Sequence, residues 1–146
     1  MDTKIIHEPL EISIYGFSGV ALNKDYVGTA FRLMDKMWGI VKSQNIADEG
    51  VNIWIYEPDE QVFAGVKLKD VPPQDSGLEF KKIIINRYAY YKHTGPYNMI
   101  PQAGSKMKKE IAEQGYNISS PYIEIYGHST PDPAKSETEL LMALKE

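Results

Sequence analysis

The chain of 146 residues has no cysteine, so disulfide staples and thiolate metal sites are excluded and packing alone must hold the fold. Long apolar runs are missing too. No stretch approaches the roughly 20 apolar residues that a membrane-spanning helix needs. Met1-Asp2-Thr3-Lys4-Ile5-Ile6 lacks the apolar core of a secretion signal. A cytoplasmic location with no membrane partner is therefore expected. Basic runs are scarce, and a net charge of −4 argues against direct binding to a nucleic-acid backbone. His7, His93 and His128 stand far apart without ligand spacing, so no metal is expected. Glycine-rich phosphate loops are absent and no cofactor motif is present. Lys106, Lys108 and Lys109 read as a solvated helix face.

What remains is the composition of a soluble globular protein, 42% hydrophobic and 25% charged. A single domain spanning residues 1–146 is long enough to bury a core. Residues 10–15 alternate apolar and polar and predict a strand. Asn23 is a candidate helix cap with Asp25 in the first turn. Tyr26, Ala30, Leu33, Met34, Met37, Trp38 and Val41 then recur at helical spacing, to an end near Asn45. Trp38 fits core packing better than a ligand wall. Met34, Met37 and Met107 fit gap-filling, although soft side chains also suit promiscuous pockets. Residues 51–56 and 62–68 predict a hairpin, and residues 70–77, with Pro72-Pro73 and Gly77, a linker.

The same order then recurs. Residues 83–91 predict a strand, followed by a break at His93-Thr94-Gly95-Pro96. Pro101 suits a first helical position, Ala103, Met107 and Ile111 form a buried stripe, and Gly115 is a terminator. Residues 121–127 form a further strand. Residues 138–144 would pass for a helix on propensity, but their counterpart in the first half is a strand, and a strand is predicted here as well. Tyr15 and Gly19 line up with Tyr91 and Gly95, and Trp54-Ile55-Tyr56 with Glu124-Ile125-Tyr126. The chain thus predicts an α+β fold of two pseudo-symmetric β-α-β-β repeats, residues 5–70 and 78–146, with an antiparallel sheet and a central ligand pocket.

The strand Pro121-Tyr122-Ile123-Glu124-Ile125-Tyr126-Gly127 is the chemically unusual piece. Glutamate is depleted in strands, and here Glu124 shares a face with Tyr126 while Ile123 and Ile125 share the other. Either Glu124 faces water or it sits in an aromatic cavity that calls for a cationic guest. Duplication places Trp54 and Tyr56 in equivalent positions, with the intervening isoleucines toward the helices. A carboxylate among rings suits a flat organic cation, each ring adding roughly 0.5–2 kcal/mol of cation–π attraction when desolvated.

The ordered set Tyr88 to Tyr97 with His93-Thr94-Gly95-Pro96-Tyr97, then Ile100-Pro101-Gln102-Ala103, then Pro121 to Tyr126 resembles the GyrI-like superfamily. Its members are the effector-binding domains of AraC- and MerR-type multidrug regulators and stand-alone relatives such as integron-cassette proteins. The resemblance implies a hydrophobic pocket for lipophilic, drug-like cations with a buried glutamate, which maps onto Glu124. The family's aromatic wall varies; strand parity assigns it here to Trp54, Tyr56, Tyr91 and Tyr126, and Phe17 and Met99 complete the expected ligand-binding set. No catalytic residue is assigned. Some members open strained natural products, and the alternative is a hydrolase with Glu124 as general base and a phenol such as Tyr126 as proton donor. Unlike the regulators, this chain has no room before Leu10 for a helix-turn-helix. A free-standing sensor, a sequestering protein or a partner of a transcription-related or other protein is expected; a role in protein interaction such as gyrase inhibition stays open.

Overall fold

A computed structural model of the chain describes residues 2–127 and 132–146; His128 and Pro131 lie outside the described residues. Strands β1 (Lys4–Ile6), β2 (Leu10–Val20), β3 (Asp48–Glu57), β4 (Gln61–Leu68), β5 (Glu79–Ile85), β6 (Tyr88–Thr94), β7 (Ile118–Tyr126) and β8 (Glu137–Leu144) are accompanied by helices α1 (Tyr26–Ser43) and α2 (Ile100–Glu113). The strands form one sheet in the order β1-β6-β8-β7-β3-β4-β2-β5. Every neighbouring pair is antiparallel, so the architecture is α+β.

Local chemistry explains most of the boundaries. Helix α1 is capped by Asp25, whose side chain accepts from the Gly28 N–H at 3.0 Å. Asn23, expected as the cap, instead takes a left-handed φ of 57° inside a 3-10 turn, Leu22–Lys24, a conformation asparagine tolerates. Residues 83–91 are two strands rather than one. The chain breaks at Asn86-Arg87; β5 pairs with β2 at one end of the sheet and β6 with β8 toward the other. Residues 137–144 are a strand despite their helix-forming composition. Strand β8 lies between β6 and β7, both of its ladders are made, and Leu140 to Leu144 are all buried. Burial on both faces favours a continuous apolar run over alternation.

The isoleucines face away from the helices, the reverse of the expectation. Ile53, Ile55 and Ile123 pack with Ile12 and Ile14 of β2, Ile83 and Ile85 of β5, and Tyr88, Leu141 and Ala143 of β6 and β8. One cluster thus draws on both ends of the strand order, so the sheet curls around it. Both helices cover the other face. Met37 and Val41 of α1 pack with Phe17 and Val66, and Met107 and Ile111 of α2 with Ala89, Leu140 and Met142. Alternation says which side chains share a face, and packing decides which face receives the helices.

Candidate functional site

Strands β3 and β7 meet at the middle of the sheet, with Trp54 opposite Glu124, Tyr56 opposite Tyr122 and Asn52 opposite Tyr126. All six side chains belong to the helix-bearing face by alternation. Between the helices a cavity of about 1030 Å³ opens over them. Its floor is Asn52, Trp54, Tyr56, Tyr122, Glu124 and Tyr126; Val27, Phe31 and Met34 of α1 form one wall, and Pro101, Gly104 and Lys108 of α2 the other, with Tyr97 just before it.

Glu124 is only 7% exposed. Its Oε2 accepts from the Tyr122 hydroxyl at 2.7 Å, and its Oε1 accepts from Tyr126 at 2.6 Å and from Tyr56 at 3.4 Å. Such charge-assisted bonds are short and stronger than neutral ones. No ion pair among the described residues involves this carboxylate. Phenols, not a cation, therefore replace its lost water. Burial first, then the Glu124 charge and its hydrogen bond, push the ionisation of Tyr56, Tyr122 and Tyr126 far above the ordinary phenol range. All three stay protonated donors at any physiological pH.

The rings are ordered around this centre. Tyr56 stacks on Tyr122 with centroids 5.7 Å apart, and Trp54 lies 4.8 Å from Tyr126. Phe31 and Tyr97 meet Trp54 and Tyr126 edge-on at 5.1 and 5.6 Å. Several quadrupole faces and one anion thus converge on a mostly apolar hollow, the arrangement that attracts an organic cation. Among the described residues no group of three or more carboxylates and histidines is placed to hold a metal.

Of the expected set, Glu124, Trp54, Tyr56 and Tyr126 line this cavity, and Phe17, Tyr91 and Met99 do not. Phe17 on β2 and Tyr91 on β6 each lie two strands out from β3 and β7, about 10 Å away at the usual strand spacing. Helix α1 covers Phe17, with Lys36 over its ring, and helix α2 covers Tyr91, with Lys106 over its ring. Met99 is 45% exposed at the end of a 3-10 turn and is not part of the lining. Sequence reasoning missed Tyr122, although the period of two in Tyr122-x-Glu124-x-Tyr126 was there to find it. It also missed Tyr97, Phe31 and Asn52 as lining residues. Met34 packs against the core as expected and lines the cavity as well, and Lys108 is exposed as expected at the cavity wall.

Residues 33–145 match the model of the GyrI-like small molecule binding domain. The chain belongs to that family. No curated protein matches this GyrI-like domain in sequence. Among solved structures it is similar to SAV2435 bound to tetraphenylphosphonium, at 14% identity and a TM-score of 0.65, over 99% of this chain and 94% of that one. It is also similar to EcmrR in a complex with DNA, at 15% identity and a TM-score of 0.67, over 99% of this chain and 56% of that one. A hydrolase from Listeria innocua shares 12% identity with a TM-score of 0.59, over 99% of this chain and 92% of that one. At these identities the likeness is one of fold. No helix among the described residues is long and apolar enough to cross a membrane.

Proposed function

We propose that this GyrI-like domain binds lipophilic, aromatic organic cations in the cavity over β3 and β7, with Glu124 supplying the opposite charge and Trp54, Tyr56, Tyr122 and Tyr126 the aromatic wall. The observation that carries this reading is a carboxylate 7% exposed, solvated by three phenols and no cation, at the floor of a mostly apolar hollow. Removing an anion from water is costly unless its environment compensates, and a cationic guest completes the compensation. The tetraphenylphosphonium held by SAV2435 is a guest of this type.

Duplication builds the site. Strand order runs β6-β8-β7 on one side and β2-β4-β3 on the other, meeting at the centre. The register slips between Asp48 and Asn52 in one half and between Ile118 and Tyr122 in the other, which are matching positions. Trp54 and Glu124, equivalent in the repeats, sit opposite each other, as a pseudo-twofold axis through the pair requires. On this reading residues 1–146 are one domain of two repeats, and the ligand lies on their axis.

A hydrolase reading uses the same groups, with Glu124 as base and Tyr126 as proton donor, and has the Listeria innocua neighbour in its favour. Binding fits better, because the carboxylate already accepts three hydrogen bonds and has little room left to activate a water. The test compares tetraphenylphosphonium with tetraphenylborate, matched in shape and opposite in charge. The cation should quench tryptophan fluorescence and raise the Tm, and the borate should do neither. Equal binding of the two ions would end the charge-pairing reading. Turnover of a strained electrophile, lost in Glu124→Gln, would favour the hydrolase.

A further inference from the structure

The two halves of the floor differ in what they offer. Strand β7 presents Tyr122-x-Glu124-x-Tyr126, an anion with its own donors. Strand β3 presents Asn52-x-Trp54-x-Tyr56, and among the described residues the Asn52 Nδ2 and Trp54 Nε1 groups have no acceptor. Asn52 Oδ1 accepts from Trp38 Nε1 at 2.7 Å. An indole N–H can only donate, so this bond fixes the orientation of the amide and leaves Nδ2 as the group still to be used. Among the described residues Nδ2 has no acceptor, and Asn52 lines the cavity. Next to it on the same face, Trp54 is 5% exposed and its Nε1 is buried without a partner among the described residues. Asn52 is only half-buried, so water reaches its amide, whereas the Trp54 N–H is shielded from solvent. A guest that displaces the water from the oriented Asn52 N–H leaves that donor unmet unless it brings an acceptor of its own.

We infer that the natural ligand carries, besides its positive charge, a hydrogen-bond acceptor such as a carbonyl oxygen that binds the Asn52 amide beside Trp54. This inference rests on the cation-binding reading of the site and narrows its ligand class. Asn52 is the diagonal neighbour of Glu124 across the β3–β7 pair, so charge and acceptor lie roughly 7–8 Å apart in the ligand. Trp38, a helix residue packed beside Phe17, Met37, Val41 and Val66, acts as a positioning residue by holding the amide oxygen turned away from the guest. Lys108 on the opposite wall is exposed and on a long, flexible stem, so the fixed donors are those of β3.

The experiment uses the whole chain and two isosteric probes, (4-acetylbenzyl)triphenylphosphonium and (4-isopropenylbenzyl)triphenylphosphonium, with tetraphenylphosphonium as reference. The acetyl oxygen lies roughly 7–8 Å from phosphorus, matching the diagonal spacing. In the unsubstituted protein the acetyl probe should bind about three- to tenfold more tightly than the isopropenyl probe, the effect of one well-placed neutral hydrogen bond. Asn52→Leu should bring that ratio to about one, whatever change it makes to the affinity that the three cations share. Asn52→Asp keeps the acceptor for Trp38 and removes the donor; it should raise affinity for all three cations and still abolish the ratio. A ratio within about twofold of one in the unsubstituted protein, with tetraphenylphosphonium bound, would overturn the acceptor inference alone; so would a ratio that survives both substitutions. Failure of tetraphenylphosphonium to bind would overturn the underlying reading, and the inference with it.

Discussion

Glu110 and Glu124 are both nearly removed from solvent, 8% and 7% exposed, yet their surroundings assign them different work. Glu110 lies on α2, and its Oε1 accepts from the Thr3 hydroxyl at 2.6 Å and the Thr3 N–H at 3.2 Å. Lys106, one turn earlier, pairs with Asp2. Together these bonds strap the N-terminal segment across the helix, and Glu110 does not line the cavity. Glu124 has only phenol donors and lines a hollow. Burial of a carboxylate is therefore no guide to its role. The donors around it and the empty volume beside it are.

Substitution should separate the two sharply. The largest effect expected is on binding: Glu124→Gln should weaken tetraphenylphosphonium by at least about tenfold, since close opposite charges couple by roughly 1.5–7 kcal/mol in desolvated sites, while Tm moves by no more than about 2 °C. Titration calorimetry paired with a thermal melt measures both, and equal cation affinity in the Gln variant would erase the distinction. Glu110→Ala should do the opposite. It leaves the Thr3 donors without an acceptor, so Tm should fall by about 2–5 °C, with cation affinity unchanged within about twofold.

The phenols refine the contrast. Tyr126→Phe, which removes a 2.6 Å bond, should weaken cation binding more than Tyr56→Phe, which removes one of 3.4 Å; affinities ranked the other way would show that ring faces rather than hydroxyls set the order. Stability against pH gives the smallest and most selective readout. The Thr3 hydroxyl, first among its causes, holds the Glu110 carboxyl below the usual range. Its contribution is complete above the unfolded value near 4.3 and is lost as pH falls through the folded one. Tyr56, Tyr122 and Tyr126 are shifted upward. Their contribution is complete below about pH 10 and is lost progressively above it, because the unfolded chain then releases protons that the folded one keeps. Denaturant midpoints should show the acid limb flattened in Glu110→Ala and the alkaline limb flattened in Tyr122→Phe.

Much of this was legible in the residues because period and repetition are local. Alternation put Glu124, Tyr126, Trp54 and Tyr56 on one face, and the match between halves identified β8 as a strand against its helix propensity. The rest depends on distance across the sheet, which spacing along the chain does not encode. Phe17 on β2 and Tyr91 on β6 lie two strands from the β3–β7 seam. Residues 83–91 split because β5 crosses to the far edge beside β2, a long-range choice that an isoleucine-rich run does not announce. Nothing in the first ten residues, short of the structure, marks Thr3 as a partner of Glu110.

The isoleucine cluster has a consequence for how such a fold diversifies. Ile12, Ile14, Ile53, Ile55, Ile83, Ile85 and Ile123 hold the curled sheet together from behind, and none of them lines the cavity. On the proposed reading, changes at Asn52 or Tyr122 would alter the choice of guest from the front while this back layer keeps its own packing.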